Sequence, residues 1–227
     1  MNTSEKCNIL HGLFNSMKLN RFEKNVISNI NFPFGIYVIF EKNEISHDGN
    51  RIVYIGTTTG QKSTVSERID EHYKNEGRSV FRNEIALCLL KKNNDPYYLS
   101  ELFFENSIYR RKWKKNANDE QVKKYLEINN KVSEHIRTNC YFVVFPVEKE
   151  YREYWEKRII STVSSCNICE KSKNWLGNYS PKDIIQKYGL WNIKNVNQSN
   201  IFTDSEFNYF INMVKNNMNI MKNEHST

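Results

Sequence analysis

The sequence predicts an α+β fold: a small three-stranded antiparallel sheet flanked by helices, with a helical insertion and helical extensions at both termini. Three observations carry this. Two β-rich runs, "FGIYVIFEK" from Phe34 and "RIVYIGTT" from Arg51, flank "NEISHDGN", whose Asp-Gly-Asn cluster is a turn signal, so an antiparallel hairpin is expected. A third run, "CYFVVFPV" from Cys140, reads as a buried strand. Stretches with helical spacing precede, separate and follow these runs.

In chain order, Ile9, Leu10, Leu13, Phe14, Met17 and Phe22 recur near helical spacing, which predicts one or two amphipathic helices before the hairpin. After Gly60 the pattern turns helical: Ser66 is a candidate cap for "ERIDEHYKN", and "VFRNEIALCLLKK" starts a second helix near Val80. Residues 93–139 are highly charged and hold two further helical stretches, "YLSELFFENSIYRRKWKK" and "DEQVKKYLEINNKVSEHIRT", which read as an insertion. Past the Cys140 strand, "EKEYREYWEKRIISTVSS" forms a helix whose apolar face includes Tyr154, Trp155, Ile159, Ile160 and Val163. Gly and Pro punctuate "KNWLGNYSPKDIIQKYGLWN", "NVNQSN" is linker-like, and a Thr-x-x-Glu capping box at Thr203 and Glu206 opens a terminal helix. The expected organisation is a helical extension over 1–31, a central domain over 32–178 with its insertion at about 93–139, and a C-terminal extension over 179–227.

The chain of 227 residues is long enough to bury a real core. Its 33 Lys and Arg against 26 Asp and Glu leave a formal charge of +7, a bias toward polyanions such as nucleic acid or an acidic membrane surface, between which charge alone does not choose. No apolar run approaches the ~20 residues needed to cross a bilayer, and the opening lacks a signal-peptide core, so a soluble cytoplasmic protein with no membrane partner is expected. Five scattered cysteines argue against a secreted disulfide framework. The pair Cys166 and Cys169, in "CNIC", has the spacing of half a zinc site. A structural zinc wants four ligands, and no second pair or adjacent His-x-His supplies them, so incidental or buried thiols are expected.

Candidate chemistry gathers around the hairpin. Side chains alternate along a strand, so Gly35 shares a face with Tyr37 and Tyr54 with Gly56; in a suitable register two phenols lie together beside glycines that leave the backbone open. Two such strands alone are more often structural. Arg68 and His72, four residues apart, project from one face of the helix that leaves the second strand. Glu156, with Glu153 as near competitor, sits beside an apolar helical stripe where a carboxylate meets the core edge and suits a divalent metal. Asn174 precedes a turn, where it either hydrogen-bonds a phosphate or fixes the loop. Residues 109–115, "YRRKWKK", interleave Tyr109 and Trp113 with Arg110, Arg111, Lys112, Lys114 and Lys115, a pattern suited equally to phosphate contact with stacking and to a solvated helix face.

The tripeptides Gly35-Ile36-Tyr37 and Tyr54-Ile55-Gly56, followed in order by Arg68, His72, Glu156 and Asn174, resemble the GIY-YIG nuclease superfamily over roughly residues 33–178. The "NWLG…SP…GLWN" ending resembles a bacterial branch of that family. The sixteen residues between Tyr37 and Tyr54 are more than is usual, and the stretch between Lys92 and Tyr141 exceeds the minimal module. The step from Glu156 to Asn174 is also long, which leaves Asn167 and Asn178 as alternatives.

The resemblance implies a metal-dependent DNA endonuclease, in restriction, phage defence, repair or a mobile element. Tyr37 would take a proton from water, Arg68 would neutralise the phosphate, Tyr54 would hydrogen-bond the phosphate or a base, and His72 would orient a tyrosine or shuttle a proton. Glu156 would hold one Mg2+ or Mn2+. A homodimer would ease cutting of both strands. The alternative class is a binding module that has lost turnover and recognises DNA or protein; a third reading is a regulatory protein whose basic helices dock an acidic partner.

Overall fold

The structure, a computed structural model, describes residues 1–58, 60, 63–74, 79–99 and 116–224, with the side chains of 99 and 219–224 excepted. The hairpin is longer than its apolar runs. Strands β2 (Gly35–Ser46) and β3 (Gly49–Thr57) continue through the polar stretch and are joined by His47 and Asp48 alone. Both tip residues have positive φ, 52° and 58°, the two-residue turn whose twist matches that of the strands. Pairing sets Tyr37 opposite Gly56 and Ile39 opposite Tyr54, after which the register shifts so that Phe40 meets Ile52.

Strand β4 (Cys140–Pro146) pairs antiparallel with the other side of β2, setting Val144 opposite Tyr37. With Asn20–Arg21 as β1, the sheet among the described residues has four strands, not the expected three, in the order β1-β4-β2-β3. The extra strand, β1, pairs with the outer edge of β4. Two polar residues carry no periodicity, so only their hydrogen bonds reveal them.

Alternation along β2 splits the core into two layers. Tyr37 and Ile39 face one layer, shared with α2 (Lys24–Ser28), α3 (Val65–Tyr73), α4 (Val80–Lys92), α5 (Asp119–Asn139) and α7 (Asp183–Tyr188). Ile36, Val38 and Phe40 face the other, shared with α1 (Thr3–Asn15), α6 (Arg152–Ser164) and α8 (Asp204–Glu224). The second helical stretch expected between 93 and 139 is α5; most of the first lies outside the described residues. Helix α3 is capped by Thr64, not Ser66: Thr64 is extended and forms a reciprocal capping box with Glu67, which places Ser66 inside the helix.

The segment after α6 closes over the hairpin. Trp175 and Trp191 both donate their indole N–H to Glu41 Oε2, at 2.9 and 3.2 Å, while His135 Nε2 stands 2.9 Å from Oε1. Burial opposes this carboxylate's charge, but His135 and the two indoles outweigh it and hold the group below its ordinary value. The free edge of β3 is then occupied: Trp191 N donates to Val53 O at 2.8 Å, and the Asn192 amide bonds both N and O of Ile55, at 3.0 and 2.8 Å. The Tyr-Ile-Gly segment is thereby held from both sides. No helix among the described residues is long and apolar enough to cross a membrane.

Candidate active site

Register decides the first contact. Because Tyr37 lies opposite Gly56, its phenol crosses the glycine backbone; a Cβ at Gly56 would stand 2.3 Å from Tyr37 Oη. The Tyr37 and Tyr54 rings lie 6.1 Å apart between centroids. Tyr54 in turn rests 5.1 Å from Phe81 at the start of α4.

Helix α3 supplies the polar groups. Its capping box fixes the first turn, and the four-residue step brings Arg68 and His72 onto the face that meets the hairpin. His72 is fully buried, and its Nε2 lies 2.7 Å from Tyr37 Oη. Its Nδ1 lies 2.6 Å from Oγ of Ser79, the residue that also caps α4 by accepting from Arg82 N at 3.2 Å. Burial pushes the imidazole well below its ordinary value, and the charges of Arg68 and Arg82 push it further, so the ring is neutral. We assign its proton to Nδ1, donating to Ser79, which leaves the Nε2 lone pair to accept the Tyr37 hydroxyl.

Burial raises the Tyr37 phenol well above its ordinary value, Tyr54 adds to this, and Arg68 opposes it. Tyr54 is raised for the same first reason, with Arg68 again opposing. Burial works against the Arg68 charge too, but the two phenols and Glu71 outweigh it and its value is raised. The Arg68 side chain is 22% exposed and pairs with Glu71 one turn on. It is the part of this group that faces solvent, since Tyr37 is sealed and Tyr54 only 8% exposed.

Glu156 arrives from the opposite layer. Helix α6 packs Trp155, Ile159 and Ile160 against the face that Tyr37 does not use, yet the Glu156 carboxylate reaches the end of β3, where Oε1 accepts Thr57 N–H at 3.1 Å. Thr57 Oγ1 donates to Gly35 O at 2.8 Å, tying this point to the start of β2. There Glu156 lies within electrostatic range of Tyr37, Tyr54 and Arg68. Burial raises its carboxyl to about 7 despite the Thr57 hydrogen bond. It forms no salt bridge among the described residues, Arg68 and Lys157 act on it only at longer range, and a half-buried carboxylate so placed fits a divalent cation that brings its own water shell.

Tyr37, Tyr54, Arg68, His72 and Glu156 are thus brought together, whereas Asn174 is not. Asn174 is exposed, in the turn before Trp175, and that turn is anchored at Glu41, four residues along β2 from Tyr37, or about 13 Å at strand spacing. Asn178 fixes the same turn by donating to Ser172 O and Lys173 O, both at 3.0 Å, and Asn167 accepts the Ser4 hydroxyl at 2.6 Å. Arg110, Arg111, Lys112, Trp113, Lys114 and Lys115 lie outside the described residues. Sequence reasoning missed Ser79 and Thr57. Ser79 is readable as a cap before the Val80 helix, but its bond to His72 depends on the angle between α3 and α4. Thr57 holds Glu156 through its backbone N–H, for which no side-chain signal exists.

A family model described as a GIY-YIG domain matches residues 3–220. No curated protein and no solved structure matches the chain.

Proposed function

The chain belongs to the GIY-YIG nuclease superfamily, and from that premise we propose that it is a metal-dependent endonuclease that hydrolyses phosphodiester bonds in DNA. The observation that carries the reading is the convergence of Tyr37, hydrogen-bonded to a neutral His72, with Arg68 and the Glu156 carboxylate, which has no salt bridge among the described residues. A phosphodiester resists attack because it is anionic and its leaving alkoxide is poor. The site must therefore activate water and balance negative charge.

Burial makes a free Tyr37 phenolate costly, so the proton moves through the pair. As water attacks phosphorus, Tyr37 Oη takes the water proton while its own proton passes to His72 Nε2, whose Nδ1–H bond to Ser79 steadies the imidazolium. Arg68 leaves Glu71 for the incoming phosphate, places its fork on two phosphate oxygens, and in moving opens the tyrosine pair to water. Tyr54 donates to a phosphate oxygen. Glu156 would hold Mg2+ or Mn2+, which when bound supplies positive charge on the leaving-group side. Residues 110–115 serve in this reading as the basic contact to the DNA backbone, and a homodimer would present two such sites to the two strands.

The test is cleavage of supercoiled plasmid with Mg2+ or Mn2+ by the full chain and by its Tyr37→Phe, Arg68→Ala and Glu156→Ala variants. Wild-type nicking with loss in all three is expected. No cleavage by the wild type with either metal, or undiminished cutting by Glu156→Ala, overturns the proposal.

A further inference from the structure

Three chain segments far apart in sequence meet on the face opposite the tyrosines. Helix α1 supplies Cys7 and His11, one turn apart; the hairpin tip supplies His47; the loop after α6 supplies Cys166 and Cys169. The donor atoms of Cys7, His11, His47 and Cys169 all lie within 4.8 Å of one another. Three of the five cysteines and two of the five histidines therefore converge, while Cys88 and Cys140 stay buried in the other layer. Buried thiols that act only as small apolar groups have no reason to seek imidazoles.

The spacing suits a tetrahedral ion. Zn–S and Zn–N bonds of usual length give a sulfur-to-nitrogen edge of roughly 3.6 Å. Cys169 Sγ stands 3.6 Å from His11 Nε2, an edge of that length, while Cys7 Sγ lies 3.6 Å from the other ring nitrogen, Nδ1, and Cys166 Sγ lies 3.6 Å from His47 Nε2. His11 Nδ1 lies 2.9 Å from Cys7 O, the second hydrogen bond that commonly sets the tautomer of a ligating histidine. That leaves Nε2 with the lone pair, offered to Cys169 and to a long 3.2 Å contact from Ile52 N.

Backbone conformation points the same way. The tip of a two-residue hairpin favours Asn, Asp or Gly, because both residues need positive φ. His47 occupies the first of these positions at φ 52°, its ring 4.6 Å from that of His11. Position 47 spends conformational energy on an imidazole directed into the cluster. Charge balances as well: two thiolates and two neutral imidazoles cancel Zn2+, which suits a place where Cys7 and His11 are wholly buried.

We propose that Cys7, His11, His47 and Cys169 bind one structural zinc ion, with Cys166 seated against His47 as an accompanying thiol. The ion pins the N-terminal helix, the hairpin tip and the end of the helix that carries Glu156. It is separate from the divalent-cation position at Glu156, and it stands whether or not the chain cuts DNA.

The test is zinc content of the reduced full-length protein after exchange into metal-free buffer, measured by inductively coupled plasma mass spectrometry. One equivalent per chain is expected, falling to background in Cys7→Ser and Cys169→Ser. His47→Asn keeps a residue at home in the turn, so it should retain the far-ultraviolet circular dichroism of the wild type while zinc affinity drops at least about tenfold. Glu156→Ala should keep its zinc, and cobalt substitution should give thiolate-to-metal charge-transfer bands. Zinc-free wild-type protein, zinc retained by a Cys7→Ser/Cys169→Ser double variant, or zinc lost on Glu156→Ala overturns the proposal.

Discussion

Tyr37 and His72 form one hydrogen-bonded unit in which neither ionises readily: burial holds the phenol protonated and the imidazole neutral. Tyr37→Phe keeps the ring over Gly56 but strips His72 of its partner. Loss of about 10²–10⁴-fold in single-turnover nicking is expected, with a stability change of only about 1 kcal/mol in urea denaturation. Glu71→Gln releases Arg68 without touching either phenol, and removes a negative charge near the incoming phosphate. A several-fold tighter DNA Kd, measured by fluorescence anisotropy without divalent metal, is the expected result; weaker binding would mean that Glu71 positions Arg68 productively. For Glu156 the sign follows from its raised carboxyl, from 4.5 to about 7. Between those values the folded chain keeps a proton that the unfolded chain has released, so this group's stabilising contribution is complete below 4.5 and is lost as pH rises through 7. In the proposed reaction a cation would displace that proton. The Mg2+ concentration for half-maximal cleavage should therefore rise about tenfold per pH unit below 7 and level off above it. In metal-free buffer at pH 8, Glu156→Gln should melt above the wild type.

The hairpin turns two tripeptides into a site, and its tolerance is small. At Gly56 a methyl group would occupy the place of the Tyr37 hydroxyl, so Gly56→Ala should cost about 1–3 kcal/mol by displacing a packed ring. Cleavage should fall as severely as in Tyr37→Phe, as checked by thermal melting alongside nicking. The inner halves of β2 and β3 were legible because Ile, Val, Tyr and Phe cluster there. The continuation over Asn43–Ser46 and Gly49–Asn50 was read as turn: this stretch is polar, and Glu44 is buried there against Arg51, a partner supplied by β3 itself. Arg68 and His72 were readable from helical spacing. Ser79, Thr57 and the grouping of Cys7, His11 and His47 with Cys166 and Cys169 depend on how elements pack, which local pattern does not encode.

Across the whole molecule, the family match over residues 3–220 takes in helices on both faces of the sheet, and α1 and α8 help build the second core layer. The +7 charge supplies a general attraction to DNA. If residues 110–115 deliver it to the backbone, exchanging Arg110, Arg111, Lys112, Lys114 and Lys115 for Gln should flatten the plot of log Kd against log salt by about 0.9 for each phosphate no longer neutralised. An unchanged slope assigns the attraction to other basic residues.

Glu156 belongs to a helix on one side of the sheet, while the phenols and guanidinium it approaches are on the other. A chain still emerging from the ribosome, with its first 150 residues exposed, holds the residues of the tyrosine pair but lacks the acid. Under the proposed function the site is therefore complete only after both layers have closed, late in synthesis.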